Sequence, residues 1–206
     1  MANRVILIAG GSGAGKSTLA ISLCTKYPQS VALVHQDDYY KSTEEAPKLS
    51  DGSPNWDTPE ALRFDALYND VHLLASGVSI IVMTKGELYN PAYRPYLRNK
   101  VECVIKPRPV ILLEGHLALY DHSIRNLATA GIYLDMPIER SVQRRGPNKF
   151  TASEGYIEET LIPLHRRWVE RTKRYATMIL EVSRMQQAFV VSKVEAYLKQ
   201  QGITMK

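Results

Sequence analysis

The chain has 206 residues, 45% hydrophobic and 23% charged, the composition of one globular domain large enough to bury a substantial core. A net charge of +5 suits nucleic acid and a polyphosphate ligand equally well, but no RNA-binding signature accompanies it. Cys24 and Cys103 lack metal-type spacing, the N-terminus leads directly into a core strand, and no apolar run approaches membrane-spanning length, so the expectation is a cytoplasmic, soluble protein with reduced thiols and without nucleic-acid or membrane partners.

Residues 5–9 form a short apolar run suited to a buried parallel strand, and residues 18–27 carry Leu19, Ala20 and Leu23 at helical spacing. Between them, Gly10-Gly11-Ser12-Gly13-Ala14-Gly15-Lys16-Ser17 fits the phosphate-loop pattern G-x-x-x-x-G-K-[ST], with Thr18 next in the chain. Glycines permit positive φ and let backbone N–H groups approach an anion without an intervening Cβ. Lys16 then supplies a cation to the β- and γ-phosphates, Ser17 a hydroxyl to Mg²⁺, and the helix its positive end. Strand, loop and helix in this order predict nucleotide binding.

Pro28 breaks the helix, and residues 31–34 make a second buried strand that ends in His35-Gln36-Asp37-Asp38-Tyr39-Tyr40. Carboxylates at a strand's C-terminal end lie where open α/β sheets bind ligands, so Asp37 or Asp38 can accept a proton from an attacking hydroxyl or hold Mg²⁺. The plainer reading is a pair of solvated loop acids. Residues 41–56 read as a polar loop. Pro59 opens a helix capped by Asp57 or Thr58, with Ala61, Leu62, Leu67, Val71 and Leu74 on its apolar face. Residues 78–83 and 101–105 read as a hairpin outside the main sheet, whose Tyr89, Tyr93 and Tyr96 either stack on a base or cover the hairpin.

Residues 109–113 form another buried strand, which delivers Glu114 beside the phosphate loop as a water-mediated Mg²⁺ partner. A helix at 121–128 and a strand at 132–135 continue the alternation, which predicts a parallel α/β sheet flanked by helices with right-handed crossovers. Arg140, Arg144 and Arg145 then run into Gly146-Pro147, the pattern of a short lid over transferring phosphate, or of a solvated basic helix. A helical stretch from near Ser153, interrupted at Pro163, leads to a last strand at 178–182. The closing helix, 186–198, turns Ala188, Val191 and Val194 inward. The whole reads as one domain over 1–206, with a hairpin lobe at about 78–106 and a lid at about 137–156.

Taken together, GGSGAGKST, HQDDYYK, NWDTPEAL, VILLEGHLAL and WVERTKRYA resemble the uridine kinase family of P-loop kinases, whose relatives include phosphoribulokinase, pantothenate kinase and nicotinamide riboside kinase. The resemblance implies a P-loop NTPase fold, ATP and Mg²⁺ as cofactors, and a small-molecule acceptor. By motif position it makes Asp37 the base for a nucleoside 5′-hydroxyl and places Tyr40 along the nucleoside. It sets Asp57 on the ribose hydroxyls, Glu114 near Mg²⁺, and Arg145 on substrate and phosphate. It also makes a homo-oligomer an expected state. Uridine kinases follow a hairpin Tyr-Asp pair with a histidine that reads the pyrimidine; here the nearest pair is Tyr89-Asn90 and no histidine follows. The lid is short for a uridine kinase, and Ser153-Glu154-Gly155-Tyr156 and Gln36-Asp37-Asp38 look more like nicotinamide riboside kinases, whereas the hairpin and Lys173-Arg174-Tyr175-Ala176 resemble uridine kinase.

The sequence reading is therefore an ATP- and Mg²⁺-dependent kinase acting on a nucleoside 5′-hydroxyl, with uridine or cytidine first and nicotinamide riboside or another small metabolite second. Lys16, Asp37 and Arg145 carry the transfer, Ser17 and Glu114 the metal, and Tyr40, Asp57 and Tyr89 the acceptor. Its rivals are an acceptor-independent P-loop NTPase and a nucleotide-binding regulator with a vestigial site. The acceptor-side residues argue against the first, and intact Lys16, Ser17, Asp37 and Glu114 against the second.

Overall fold

The computed structural model describes residues 3–86, 88–90, 100–145 and 154–206, with the side chains of Arg145 and Glu154 outside that set. Five parallel strands form the main sheet in the order β2-β5-β1-β6-β7: β1 (Arg4–Gly10), β2 (Val31–His35), β5 (Val110–Glu114), β6 (Ala128–Asp135) and β7 (Met178–Glu181). β3 (Ile80–Thr84) and β4 (Val101–Ile105) pair antiparallel as the separate hairpin. The expected α/β architecture is present. Strands β1, β2 and β5 are apolar almost throughout because helices cover both faces of a parallel sheet.

Alternation along β1 divides the core. Ile6 and Ile8 point to the face covered by helix α1 (Lys16–Lys26) and the C-terminal helix Gln187–Gln200, where they pack with Leu19, Leu23, Val190, Val194 and Leu198. Val5, Leu7 and Ala9 point to the other face, covered by α2 (Phe64–Ala75), α3 (His122–Leu127) and the hairpin through Leu67, Val71, Leu74, Ile124 and Ile80. Helix α4 (Ile138–Arg145) follows β6.

Three local expectations change. The helix expected from Pro59 is a single 3-10 turn, Pro59–Ala61, and α2 begins only at Phe64. Backbone pairing is the cause: the Lys41 N–H donates to the Ala61 carbonyl and the Arg63 N–H to the Tyr39 carbonyl, both at 2.9 Å, which holds Leu62 extended against Tyr40. Neither Asp57 nor Thr58 caps a helix with its side chain; the Thr58 hydroxyl donates to Glu60. Pro163 does not interrupt the helical run from Glu154 to Tyr175, because widened π turns at Ile157–Leu161 and His165–Val169 flank it and accommodate a ring with no N–H. In the C-terminal helix the inward face is Val190, Val194 and Leu198, spaced four apart, while Ala188 is exposed and Val191 half-buried.

Candidate active site

β1 is the centre of the sheet, and the chain leaves it toward β2 on one side and reaches β6 and β7 on the other. Open α/β sheets bind ligands at such a reversal, beyond the carboxyl ends of the strands. Gly10 ends β1 at φ +141, and a Cβ there would stand 2.4 Å from the Leu134 carbonyl oxygen, so only glycine turns the chain at this point. Gly15, at φ +93, caps α1 in the left-handed region with no side-chain cap and no acid in the first turn. The first N–H groups of α1 are thereby left to an anion. The Lys16 ammonium is buried and donates to the Gly11 carbonyl at 2.9 Å, curled over the loop between Gly11 and α1.

The register of β5 places Glu114 abreast of Ile8 on one side and His35 on the other. The buried Glu114 Oε1 accepts from the Ser17 hydroxyl at 3.1 Å and lies 2.8 Å from His35 Nδ1. Burial works to raise the Glu114 pKa, but the bond and charge of His35, with Lys16 and Ser17, outweigh it and hold the carboxyl below its usual range. Burial likewise works to lower the His35 pKa, and the Glu114 contact outweighs it, raising the imidazole. A hydroxyl beside a carboxylate is a hard-oxygen pair, which fits Mg²⁺ held by one or two protein groups together with nucleotide phosphates. Among the described residues no three His, Cys, Asp or Glu side chains form a metal cluster.

Beyond β2 a 3-10 turn, Gln36–Tyr39, separates the two aspartates. Asp37 is exposed and makes no hydrogen bond or ion pair within the described residues. Asp38 instead accepts the Lys85 N–H at 3.3 Å, and burial, opposed by the Thr84 hydroxyl and the charge of His35, raises its pKa. The second aspartate thus ties the hairpin root to the turn, while the first stays exposed. Tyr40 donates to the Trp56 carbonyl at 3.1 Å and stacks on His116 at 6.3 Å, which puts an aromatic wall beside the turn.

The Asp57 carboxylate accepts the Tyr156 hydroxyl at 2.6 Å, a contact between segments 99 residues apart. Nothing in the local sequence around Tyr156 points to this partner. Tyr89 is engaged by the backbone: its hydroxyl accepts the Leu33 N–H at 3.0 Å and donates to the Leu33 carbonyl at 3.1 Å, on the free edge of β2. The expectation that Tyr89 contacts substrate gives way to a structural role, because an edge strand's unpaired backbone groups need partners. Tyr93, Tyr96, the lid residues 146–153 and the Arg145 side chain lie outside the described residues.

Two further contacts had no clear signal in the sequence. The Ser141 hydroxyl on α4 donates to the Ser12 carbonyl, and a Cβ at Gly11 would meet His165 Cε1 at 3.0 Å. Ser141 from α4 and His165 from the later helical run thus both close on the phosphate loop. A depression lined by Glu170, Arg171, Lys173, Arg174 and Ile179 includes none of these groups.

A phosphate loop on a five-stranded parallel sheet, with a strand-end carboxylate beside its serine, defines the P-loop kinase fold class. Residues 5–188 match the model of the phosphoribulokinase/uridine kinase family, and the chain belongs to that family. It is 32% identical over 181 residues to a uridine kinase of Halobacterium salinarum, spanning 84% of this chain and 77% of that one. It is 30% identical to a uridine kinase of Bacillus subtilis, over 97% of each chain. The fold superposes on a possible uridine kinase from Bacillus stearothermophilus with a TM-score of 0.53 at 19% identity, covering 88% of this chain and 90% of the other. No helix among the described residues is long and apolar enough to cross a membrane.

Proposed function

We propose that the chain is an ATP- and Mg²⁺-dependent kinase that transfers the γ-phosphate to the 5′-hydroxyl of a nucleoside, with uridine and cytidine as the first acceptors. The observation that carries this reading is the division of the site. The phosphate loop and Ser17–Glu114 pair lie on one side, and the exposed Asp37 and the Tyr156-held Asp57 lie on separate segments that an acceptor-independent NTPase has no use for. Phosphoryl transfer asks for positioning and charge stabilisation more than covalent chemistry from the protein.

In this reading the loop amides and Lys16 cradle the triphosphate, and Asp37 orients the acceptor hydroxyl and takes its proton. Asp57 holds the ribose, Tyr40 lines the nucleoside, and Arg145 balances charge on the transferred group. Ser17 and Glu114 hold Mg²⁺, which when bound neutralises phosphate charge. The cytoplasm and a homo-oligomeric state fit the family. Nicotinamide riboside is the second acceptor, favoured by the absence of a histidine between Thr84 and Val101, where pyrimidine readers carry one.

The test is ADP release from the purified protein with ATP and Mg²⁺ across uridine, cytidine, purine nucleosides, nicotinamide riboside, pantothenate and sugar phosphates. Turnover dependent on uridine or cytidine is the expected result, and turnover with nicotinamide riboside alone selects the second acceptor. ADP release that needs no acceptor, or ATP binding without turnover on any acceptor, overturns the kinase reading.

A further inference from the structure

His35 stands at the end of β2 with both edges of its ring accounted for by neighbours of different kinds. Nδ1 lies 2.8 Å from Glu114 Oε1, and the side chain is only 9% exposed. Nε2 is buried without a hydrogen-bond partner among the described residues and is packed against the hairpin root, where a Cβ on Gly86 would come within 2.6 Å of Nε2 and 2.7 Å of Cδ2. The ring is therefore wedged between the hairpin backbone and the carboxylate. Glu114 receives both of its donors, Ser17 and His35, on Oε1, and Oε2 accepts no hydrogen bond from the described residues.

We infer that His35 is a positioning residue for Glu114. By fixing Oε1 from the β2 side it sets the carboxylate rotamer and leaves Oε2 for the metal side of the nucleotide, while Gly86 fixes His35 in turn. This rests on the reading of Ser17 and Glu114 as the Mg²⁺ side of the site. Partners that orient a ligating carboxylate typically change metal affinity about 10- to 100-fold when removed. His35 touches neither nucleotide nor acceptor in this role. The arrangement also ties the metal-side carboxylate to the root of the hairpin lobe, since Gly86 lies two residues beyond β3.

Gly86 separates this role from simple core filling. Gly86→Ala presses a methyl group on the Nε2 edge and displaces the ring from Glu114 without altering a group at the phosphate loop. His35→Asn keeps an amide nitrogen near the Nδ1 position and has no atom at the Nε2 position; its Oδ1 takes the Cδ2 place, so it retains the donor and reduces the clash from two ring atoms to one.

The experiment is calorimetric titration of ATP into the full chain, with Mg²⁺ and with chelator, for wild type, His35→Ala, His35→Asn, Gly86→Ala, the His35→Asn/Gly86→Ala double variant and Glu114→Ala. Folding of each variant is checked by thermal melting. His35→Ala and Gly86→Ala should each reduce the Mg²⁺-dependent gain in ATP affinity by about tenfold or more and leave affinity in chelator unchanged. His35→Asn should restore the gain, and Gly86→Ala should cost less in that background than in wild type. A full gain in folded His35→Ala, or a Gly86→Ala effect as large in the His35→Asn background as in wild type, overturns the positioning role. A full gain in Glu114→Ala overturns the Mg²⁺ reading beneath it.

Discussion

The donor and acceptor sides proposed for the site are built in opposite ways. On the donor side, nine consecutive residues from Gly10 to Thr18 carry the loop, the cation and the hydroxyl, and Glu114 joins them from β5. On the acceptor side, Asp37 with Tyr40, Asp57 and Tyr156 come from three stretches of chain, joined by tertiary contacts such as Tyr40 on the Trp56 carbonyl and Tyr156 on Asp57. A site made by one local turn is organised before any ligand binds. A site assembled across the fold depends on α2, the hairpin and the helical run keeping their places, and its residues are easier to disturb one at a time.

Substitutions on the acceptor side should therefore separate chemistry from nucleotide binding. The largest effect is expected at Asp37: Asp37→Ala should lower kcat by about 10²- to 10⁴-fold, the range for loss of a general base, while ATP affinity measured by calorimetry stays near wild type. Equal loss of both would make Asp37 part of the donor site and erase the contrast.

Asp57→Asn should raise the acceptor KM by about tenfold, the size of one charge-assisted hydrogen bond, and leave the ATP KM unchanged in steady-state assays. Tyr89→Phe should behave differently from both. It leaves the Leu33 N–H and carbonyl on the β2 edge without the tyrosine hydroxyl, so thermal or denaturant unfolding should show a loss of about 1–2 kcal/mol while kcat and both KM values hold. A rise in acceptor KM in Tyr89→Phe would return that tyrosine to the acceptor site.

The smallest effect concerns the thiols. Burial pushes Cys24 up to about 12, on the core face of α1, whereas Cys103 is only half-buried on the hairpin. Alkylation of the native protein near neutral pH should thus modify Cys103 and spare Cys24, with both reacting after denaturation, as peptide mass spectrometry would read. Native labelling of Cys24 would mean that the α1 face of the core opens more readily than its packing implies.

The amino-acid sequence by itself determined the phosphate loop, the strand-end acids and the parallel α/β order. Each of these is written in adjacent residues: glycines where φ is positive, apolar runs where a strand is covered on both faces, a carboxylate where such a run stops. The family resemblance implied roles for Asp37, Asp57 and Glu114, but neighbouring letters such as Asp37 and Asp38 look alike in sequence. Only the tertiary structure separated them, because burial against the hairpin engages Asp38 and leaves Asp37 exposed. It alone decided that Tyr89 serves the β2 edge, that backbone pairing with the turn after β2 delays α2 to Phe64, and that His35 meets Glu114. Those outcomes depend on which strands lie side by side and in what register. Contacts such as Tyr89 with Leu33 and His35 with Glu114, between residues 56 and 79 positions apart, leave no periodic or local trace from which to read them.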